Sequence, residues 1–309
     1  MTLARLLQLL PYRLQLAAGP SLGRLFMLFN PYRQLIMKTN LALCFPQLDD
    51  NARQQLRKRV VKSLGLSLVE EAASIWAPNK FFDGMGNVQG LEHIKAAQQQ
   101  GKGVLLLSGH FCSVDFAGRV LLRHHPACFT YQELRNPLSN HILTNARKKF
   151  AHCIIHRHDI RGFIKALKAG KVVWYAPDQS QARKDSVFAP FFGIQANTLT
   201  ATTKLAKITG AAVLPFEIKR RPDARGYALT IQPPLENFPG ESETADASRF
   251  NALLETQVCE HPEQYLWIHR RFKHRPEGEP KLYPQKPRRT RKMERREKMR
   301  AAQARAKDA

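Results

Sequence analysis

The residues with the clearest capacity for chemistry lie between positions 108 and 115. His110 follows the apolar run 104–107, and Asp115 stands five residues beyond it. Five residues span about one and a third helical turns, so the carboxylate of Asp115 is expected to hydrogen-bond to one imidazole nitrogen of His110. An imidazole held in this way, with an ordinary pKa of about 6.5, accepts a proton from an alcohol at neutral pH. The spacing predicts that His110 is a general base oriented by Asp115.

Two nucleophiles in the same segment allow a different mechanism. Cys112 or Ser113 could form an acyl-enzyme with His110 as the partner base. The sequence lacks the Gly-x-Ser-x-Gly turn of serine hydrolases, and the positions after His110 read more simply as the start of a helix. A histidine at the end of a strand is also often structural, so the pair needs support from the rest of the chain.

Short apolar segments alternate with helix-length segments through the middle of the chain. The predicted strands are 104–107, 128–131, 172–176, 211–216 and 227–232. The predicted helices are 54–76, 137–150, 160–169, 198–209 and 245–260. This alternation predicts an α/β fold with a mostly parallel central sheet and helices on both faces. Ligands are then expected at the carboxyl ends of the strands, where His110 falls.

The composition describes a folded and strongly basic protein. The 309 residues include 49 Lys and Arg against 25 Asp and Glu, a net charge of +24, and 43% are hydrophobic. That hydrophobic content excludes a wholly disordered basic chain, and the charge predicts anionic partners. The five cysteines are spread over the chain with no close pair, which predicts neither a disulfide framework nor a zinc site and favours a reducing compartment. No secretory signal is evident.

Three regions are expected: a helical arm at 1–38, a catalytic domain at 39–280 and a basic tail at 281–309. Arginines interrupt the apolar residues of the arm, so it is expected to lie in the membrane interface rather than to span the bilayer. A helix packed on its own domain is the alternative. The tail holds twelve Lys and Arg against three Asp and Glu and is predicted to be solvated, with a membrane surface or nucleic acid as possible contacts.

A cluster of metal-binding residue types, His152, Cys153, His156 and His158, lies in a segment that reads as a strand. Zinc sites normally draw further Cys or His ligands from elsewhere at characteristic spacing, and none is apparent here. We therefore predict no metal site.

Six segments taken together resemble the late acyltransferases of lipid A biosynthesis, the lauroyl and myristoyl acyltransferases. They are 109–115, 131–137, 172–178, 186–193, 214–216 and 262–273. The resemblance, which runs from about residue 10 to 283, implies a glycerolipid-acyltransferase-like fold with a His-x4-Asp catalytic pair. It also implies transfer of an acyl chain from acyl carrier protein to a hydroxyl of an acyl chain on a Kdo-bearing lipid A precursor. No metal or other cofactor is expected.

The resemblance further implies substrate-binding residues and a location. The substrate-binding candidates are Arg135, Asn136, Asp178, Arg183, Arg270, Arg271 and Lys273. The expected partners are acyl carrier protein, the lipid A precursor and an anionic membrane surface at the cytoplasmic face of the bacterial inner membrane; nucleic acid is not favoured. Relatives usually begin with a spanning helix that is not evident here, so peripheral or monotopic attachment is expected.

Two other functions compete with acyl transfer. One is a basic adaptor that binds RNA or membranes on an inactive acyltransferase fold. The other is a thioesterase or phospholipase, in which His110 would activate water instead of an acceptor hydroxyl.

Overall fold

The computed structural model describes residues 10–111, 113–134, 136–181, 185–223, 226–285 and residue 299. A seven-stranded, mostly parallel sheet flanked by helices forms its centre, which confirms the predicted fold class. The strands are β1 (Gly86–Gln89), β2 (Val104–Leu107), β3 (Cys128–Tyr131), β4 (Cys153–His156), β5 (Val172–Tyr175), β6 (Ser186–Phe191), β7 (Ile194–Leu199), β8 (Ala212–Arg220) and β9 (Tyr227–Ile231).

The α-helices carry the rest of the regular structure. They are α1 (Tyr12–Ala17), α2 (Gly19–Phe29), α3 (Pro31–Cys44), α4 (Asp50–Trp76), α5 (Leu91–Gln99), α6 (Val114–Leu121), α7 (Pro137–Phe150), α8 (Ile160–Lys168), α9 (Ala201–Thr209) and α10 (Glu243–Glu260). Two 3₁₀ turns, Asn79–Phe82 and Pro262–Gln264, complete the set in the described residues.

The strand order is β1-β9-β8-β2-β5-β3-β4, with β8 and β9 antiparallel and the other neighbours parallel. Strands β6 and β7 form a separate antiparallel hairpin. All four residues of β2 are buried, as expected of a central parallel strand covered on both sides. In the pairing of β2 with β5, Leu107 stands opposite Tyr175, so the chain leaves both strands at the same edge.

The predicted strands are all present, with small shifts at their ends. The predicted helix 198–209 begins only at Ala201, because residues 198 and 199 belong to β7. The β6–β7 hairpin and β1 were not predicted from the sequence. Strand β1 is four residues long and only partly buried, so it lacks the apolar run that identified the central strands.

The N-terminal helices both pack on the domain and expose apolar side chains. Helix α2 lies so close to α4 that a Cβ added at Gly65 would stand 1.9 Å from the carbonyl oxygen of Gly19. On the outer side of α2, Leu28 and Phe29 are 69% and 74% exposed. Helix α3 continues across the predicted boundary at residue 38. Among the described residues, no helix has the length and hydropathy needed to cross a membrane.

Residues 1–9 of the arm, and the tail residues 286–298 and 300–309, lie outside the described residues. The prediction that the start of the arm lies in the membrane interface and the prediction of a solvated tail therefore stay predictions.

The expectation that no disulfide forms is wrong. Cys128 and Cys153 are bonded, with their Cα atoms 4.5 Å apart. They are 25 residues apart in sequence but directly opposite in the register of the parallel strands β3 and β4. The pairing of these cysteines cannot be predicted from their spacing in sequence, because the pairing depends on which strands are neighbours in the sheet.

Candidate active site

The partner of the His110 imidazole is Asp178. Nδ1 of His110 lies 2.5 Å from Oδ1 of Asp178, and the backbone N–H of His110 donates to Oδ2 of the same carboxylate at 3.0 Å. The hydroxyl of Tyr265 donates to Oδ2 at 2.9 Å. Asp178 is 1% exposed, whereas about a third of the His110 side chain is exposed. One buried carboxylate therefore fixes both the backbone and the ring of His110, with Nε2 as the nitrogen left for a substrate.

The electrostatics of this pair favour an imidazolium on His110. Burial lowers the pKa of His110, but the charge and hydrogen bond of Asp178 outweigh it, so the pKa lies above its ordinary value. Burial likewise raises the pKa of Asp178, and the imidazole, the backbone N–H and the Arg271 guanidinium lower it well below its usual range. Asp178 therefore stays ionised when His110 gains a proton.

The predicted hydrogen bond between His110 and Asp115 is wrong. The Asp115 carboxylate is instead held by Arg147 of α7, whose Nε and Nη2 donate to its two oxygens, each at 2.6 Å. Glu71 of α4 also contacts Asp115; burial and the Asp115 charge raise the pKa of Glu71 to about 8, so it is protonated at neutral pH. The prediction that Asp115 orients His110 rests on their spacing in sequence. In the structure, α6 directs the Asp115 carboxylate toward Glu71 of α4 and Arg147 of α7.

Arg147 links the two halves of the site electrostatically. Its positive charge opposes protonation of His110 while it neutralises Asp115. The pKa of Arg147 is raised, because the attraction of Asp115 and Glu71 exceeds the effect of burial. A permanent cation thus lies beside the predicted base.

Two cavities of different character meet at this edge of the sheet. A small apolar cavity adjoins Asp115 and Arg147. Its apolar lining comes from α4, α6, β3, α7 and the residue after α6: Ile75, Val114, Leu122, Phe129, Leu143, Ala146 and Phe150. A polar cleft adjoins His110, with Gln132, Arg157, Gln179 and Gln181 among its walls. Thr130 lines both. The site therefore has an apolar wall on one side and a polar wall on the other.

A buried guanidinium stands at the wall of the apolar cavity. Arg119 lies between the rings of Phe82 and Phe150, with its Cζ 4.1 and 3.4 Å from their centroids. It donates to the backbone oxygens of Ser74 and Ala77. Burial lowers its pKa to about 10, so it remains charged at neutral pH while its donors are occupied by the protein.

Several predicted substrate-binding residues have hydrogen-bond partners within the protein. Arg271 is 2% exposed and donates to Asn197, Thr198 and Asn251, and Asp178 is buried under His110. Both side chains are buried and engaged by the protein, and their assignment as substrate contacts stays a prediction. Asn136 accepts a hydrogen bond from the Ser139 N–H and caps α7, near the edge where the strands end.

The remaining predicted substrate contacts stay predictions. Arg270 is half-buried and Lys273 is exposed. Arg135 and Arg183 lie outside the described residues.

The structure engages Ser113 and Cys153 in contacts with other parts of the protein. Ser113 is 7% exposed and its hydroxyl donates to Glu70, and Cys112 lies outside the described residues. In the cluster of His152, Cys153, His156 and His158, Cys153 is bonded in the disulfide. Elsewhere in the described residues, ligand atoms of Glu217, Glu260 and His261 lie within 4.8 Å of one another, and Glu260 is exposed.

Sequence reasoning missed Arg147, Glu71, Arg157 and Tyr265. Glu71 had a usable signal, because it follows Glu70 inside the apolar stripe of a helix, where two adjacent carboxylates need buried partners. The sequence offers no such indication for Arg147, because nothing distinguishes it from Lys148 and Lys149, the basic residues that follow it in the last turn of α7.

These features define an α/β acyltransferase-like protein with a histidine–carboxylate pair at the carboxyl edge of its sheet. Residues 1–274 match the family described as bacterial lipid A biosynthesis acyltransferase, and the chain belongs to that family.

Individual relatives have related names. The chain is 39% identical over 279 residues to the lipid A biosynthesis palmitoleoyltransferase of Escherichia coli K12, covering 89% of this chain and 90% of the relative. It is 37% identical over 275 residues to the lauroyltransferase of the same strain, with the same shares covered. With the myristoyltransferase it shares 29% identity over 254 residues, or 80% and 77% of the two chains.

The two carboxylates near His110 are distinguishable by titration. We expect Asp178→Asn to lower the pKa of His110 below its ordinary value, because burial then acts without the compensating charge. Asp115→Asn is the matched control and should shift the same pKa much less, since Asp115 neutralises Arg147 rather than contacting His110. NMR titration of the imidazole checks this, and equal shifts in the two variants would contradict the assigned pairing.

Proposed function

We propose that this lipid A biosynthesis acyltransferase transfers a fatty acyl chain from acyl carrier protein to a hydroxyl of an acyl chain on a Kdo-bearing lipid A precursor. The observation that carries the proposal is the His110–Asp178 pair, which faces a polar cleft with an apolar cavity beside it. Family membership supports the late acylation of lipid A. The histidine–carboxylate pair and the two adjoining cavities support the proposed transfer.

In the proposed reaction, Nε2 of His110 removes the proton from the acceptor hydroxyl as its oxygen attacks the thioester carbonyl carbon. Asp178 stabilises the imidazolium that forms, through the contact at Nδ1. The tetrahedral intermediate then collapses with loss of the carrier thiol, which takes the proton back from Nε2. His110 ends the cycle neutral, and no covalent bond to the enzyme forms.

Charge that develops on the thioester oxygen needs a nearby donor or cation. Arg147 binds Asp115 through Nε and Nη2 and lies close enough to His110 to oppose its protonation. In the proposal its positive charge stabilises the tetrahedral oxyanion, and Asp115 positions Arg147. This gives Asp115 a role in the site that differs from orienting the base.

The main experiment uses purified protein, acyl carrier protein loaded with a fatty acid, and a Kdo-bearing lipid A precursor. His110→Ala is expected to reduce transfer about 100- to 10,000-fold, the usual contribution of a general base. In the wild type, kcat/KM should rise with pH through a pKa above about 6.5, because His110 must lose its proton to act. In Asp178→Asn, this rise should move to lower pH while the plateau falls.

The competing functions give different outcomes in the same assay. Release of free fatty acid without acylated acceptor would identify a hydrolase. Transfer at the wild-type rate by His110→Ala would refute the base. Binding of membranes or RNA by a chain that performs no transfer would favour the adaptor.

We propose that the apolar cavity holds the acyl chain of the donor. Ala146→Leu narrows it and should lower kcat/KM for longer donors relative to shorter ones, by about tenfold for a difference of one or two methylenes. Leu143→Ala widens it and should change the preference in the opposite direction. A competition assay with mixed acyl donors measures both ratios. Unchanged ratios in both variants would place the chain elsewhere.

We propose that the exposed apolar side chains of α2 attach the protein to the membrane. Leu28 and Phe29 project beside basic residues such as Arg24, which suits an anionic interface. Replacing both with serine should weaken binding to vesicles that contain anionic lipid by about tenfold or more, since each loses apolar burial. Ile208→Ser, at a comparably exposed residue of α9, is the control. Equal binding by all three proteins in a sedimentation assay would disprove this attachment.

A further inference from the structure

We propose that Glu70 is a positioning residue that acts through Ser113 to fix the segment carrying His110 and Asp115. The inference rests on the proposed function for its kinetic consequences, although its geometry does not depend on it. Ser113 stands between the two site residues in sequence and directly before α6. A group that fixes Ser113 therefore fixes the path of the chain from the end of β2 to the helix that presents Asp115.

Glu70 is fully buried and surrounded by donors. Arg220 forms an ion pair with it, with Nε 2.8 Å from Oε1 and Nη2 2.6 Å from Oε2. The hydroxyls of Tyr227 and Tyr12 donate at 2.8 and 3.1 Å, and the Ser113 hydroxyl donates to Oε2. A charge in such a place is stable only because every oxygen is engaged, so the position of the carboxylate is closely defined.

The backbone of Ser113 needs such a restraint. Its φ of 71° and ψ of 40° lie in the left-handed region, which favours glycine. Unlike glycine, serine at this position has a hydroxyl. This hydroxyl donates to Glu70 and accepts from Arg220 Nη2 at 3.1 Å. The side chain is buried, so this hydroxyl holds the chain rather than meeting a substrate.

The network is anchored from distant parts of the chain. Gln264 bonds both backbone groups of Arg220, its amide oxygen accepting from the N–H and its Nε2 donating to the carbonyl. Ser63 and Ser67 of α4 accept from the Arg220 guanidinium. Tyr12 of α1, the first described helix of the arm, donates to Glu70. Through Glu70 and Arg220, the Ser113 hydroxyl is thus connected to α1, α4, β8 and the 3₁₀ turn that follows α10. These connections restrict the movement of Ser113.

Glycine and alanine variants at position 113 distinguish the effect of the lost hydroxyl from the effect of the left-handed backbone conformation. Ser113→Gly relieves the left-handed conformation and loses the bond, whereas Ser113→Ala loses the bond and keeps the strain. Glu70 retains Arg220, Tyr12 and Tyr227 in both, so both are expected to fold. Asn237→Gly is the matched control, because exposed Asn237 also has a positive φ, 50°, and no part in this network.

We expect kcat to fall about tenfold in both Ser113 variants with KM within twofold of wild type, because a small displacement of the base slows the reaction without removing a substrate contact. The urea midpoint of Ser113→Gly should be no lower than that of wild type. Asn237→Gly should leave kcat unchanged. Loss of kcat in Ser113→Gly alone would assign the effect to chain flexibility and overturn the proposal, as would an effect confined to KM.

An NMR measurement keeps this test separate from the proposed function. In protein with ¹⁵N-labelled histidine, the His110 imidazole signals should shift or broaden in both Ser113 variants and match wild type in Asn237→Gly. If the wild type transferred no acyl chain, the proposed function would fail, but these spectra would still decide the positioning role. Unchanged His110 signals in both Ser113 variants would refute it.

Discussion

One buried carboxylate, Asp178, sets the geometry of the site. It accepts a hydrogen bond from the backbone N–H of His110 and contacts the ring at Nδ1, so the position and the orientation of the imidazole follow from a single group. The Tyr265 hydroxyl donates a further hydrogen bond to the same carboxylate. A carboxylate is stable at this depth only when its oxygens are engaged and a positive partner is available. Structural stability and the basicity of His110 therefore depend on the same contacts.

The sheet explains why this pair forms. Leu107 and Tyr175 are paired across β2 and β5, and His110 and Asp178 each stand three residues beyond them. Ser108 strengthens the junction, since its N–H donates to the Tyr175 carbonyl and its hydroxyl accepts from Trp174. The two chains leave the sheet side by side and bring the imidazole to the carboxylate. Ligand sites at the carboxyl ends of parallel strands have this origin.

The sequence predicted the central strands, the fold class and His110 because these depend on local patterns: apolar runs, helical periodicity and a histidine at the end of a strand. It did not predict the partner of His110, because a choice between Asp115 and Asp178 requires the strand order. Asp115 is near in sequence, but it belongs to a helix that faces Arg147. The disulfide between Cys128 and Cys153 was missed for the same reason.

The resemblance was a similarly incomplete guide to side-chain environment. It implied that Arg271 binds substrate, but the Arg271 guanidinium is buried and donates to Asn197, Thr198 and Asn251.

The segment 262–273 shows how a motif near the chain's end holds a site that lies far away in sequence. Gln264 holds Arg220, Tyr265 holds Asp178, and the N–H of Leu266 donates to the carbonyl of His110. Three successive residues thus fix the backbone of His110, the Asp178 carboxylate and Arg220, which is ion-paired beneath Ser113. Asp178 accepts from the N–H of His110 and the N–H of Leu266 donates to the His110 carbonyl, so His110 is restrained on both sides of its own Cα. In the proposed reaction, an imidazole held in place before substrate arrives lowers the entropic cost of reaching the reactive geometry.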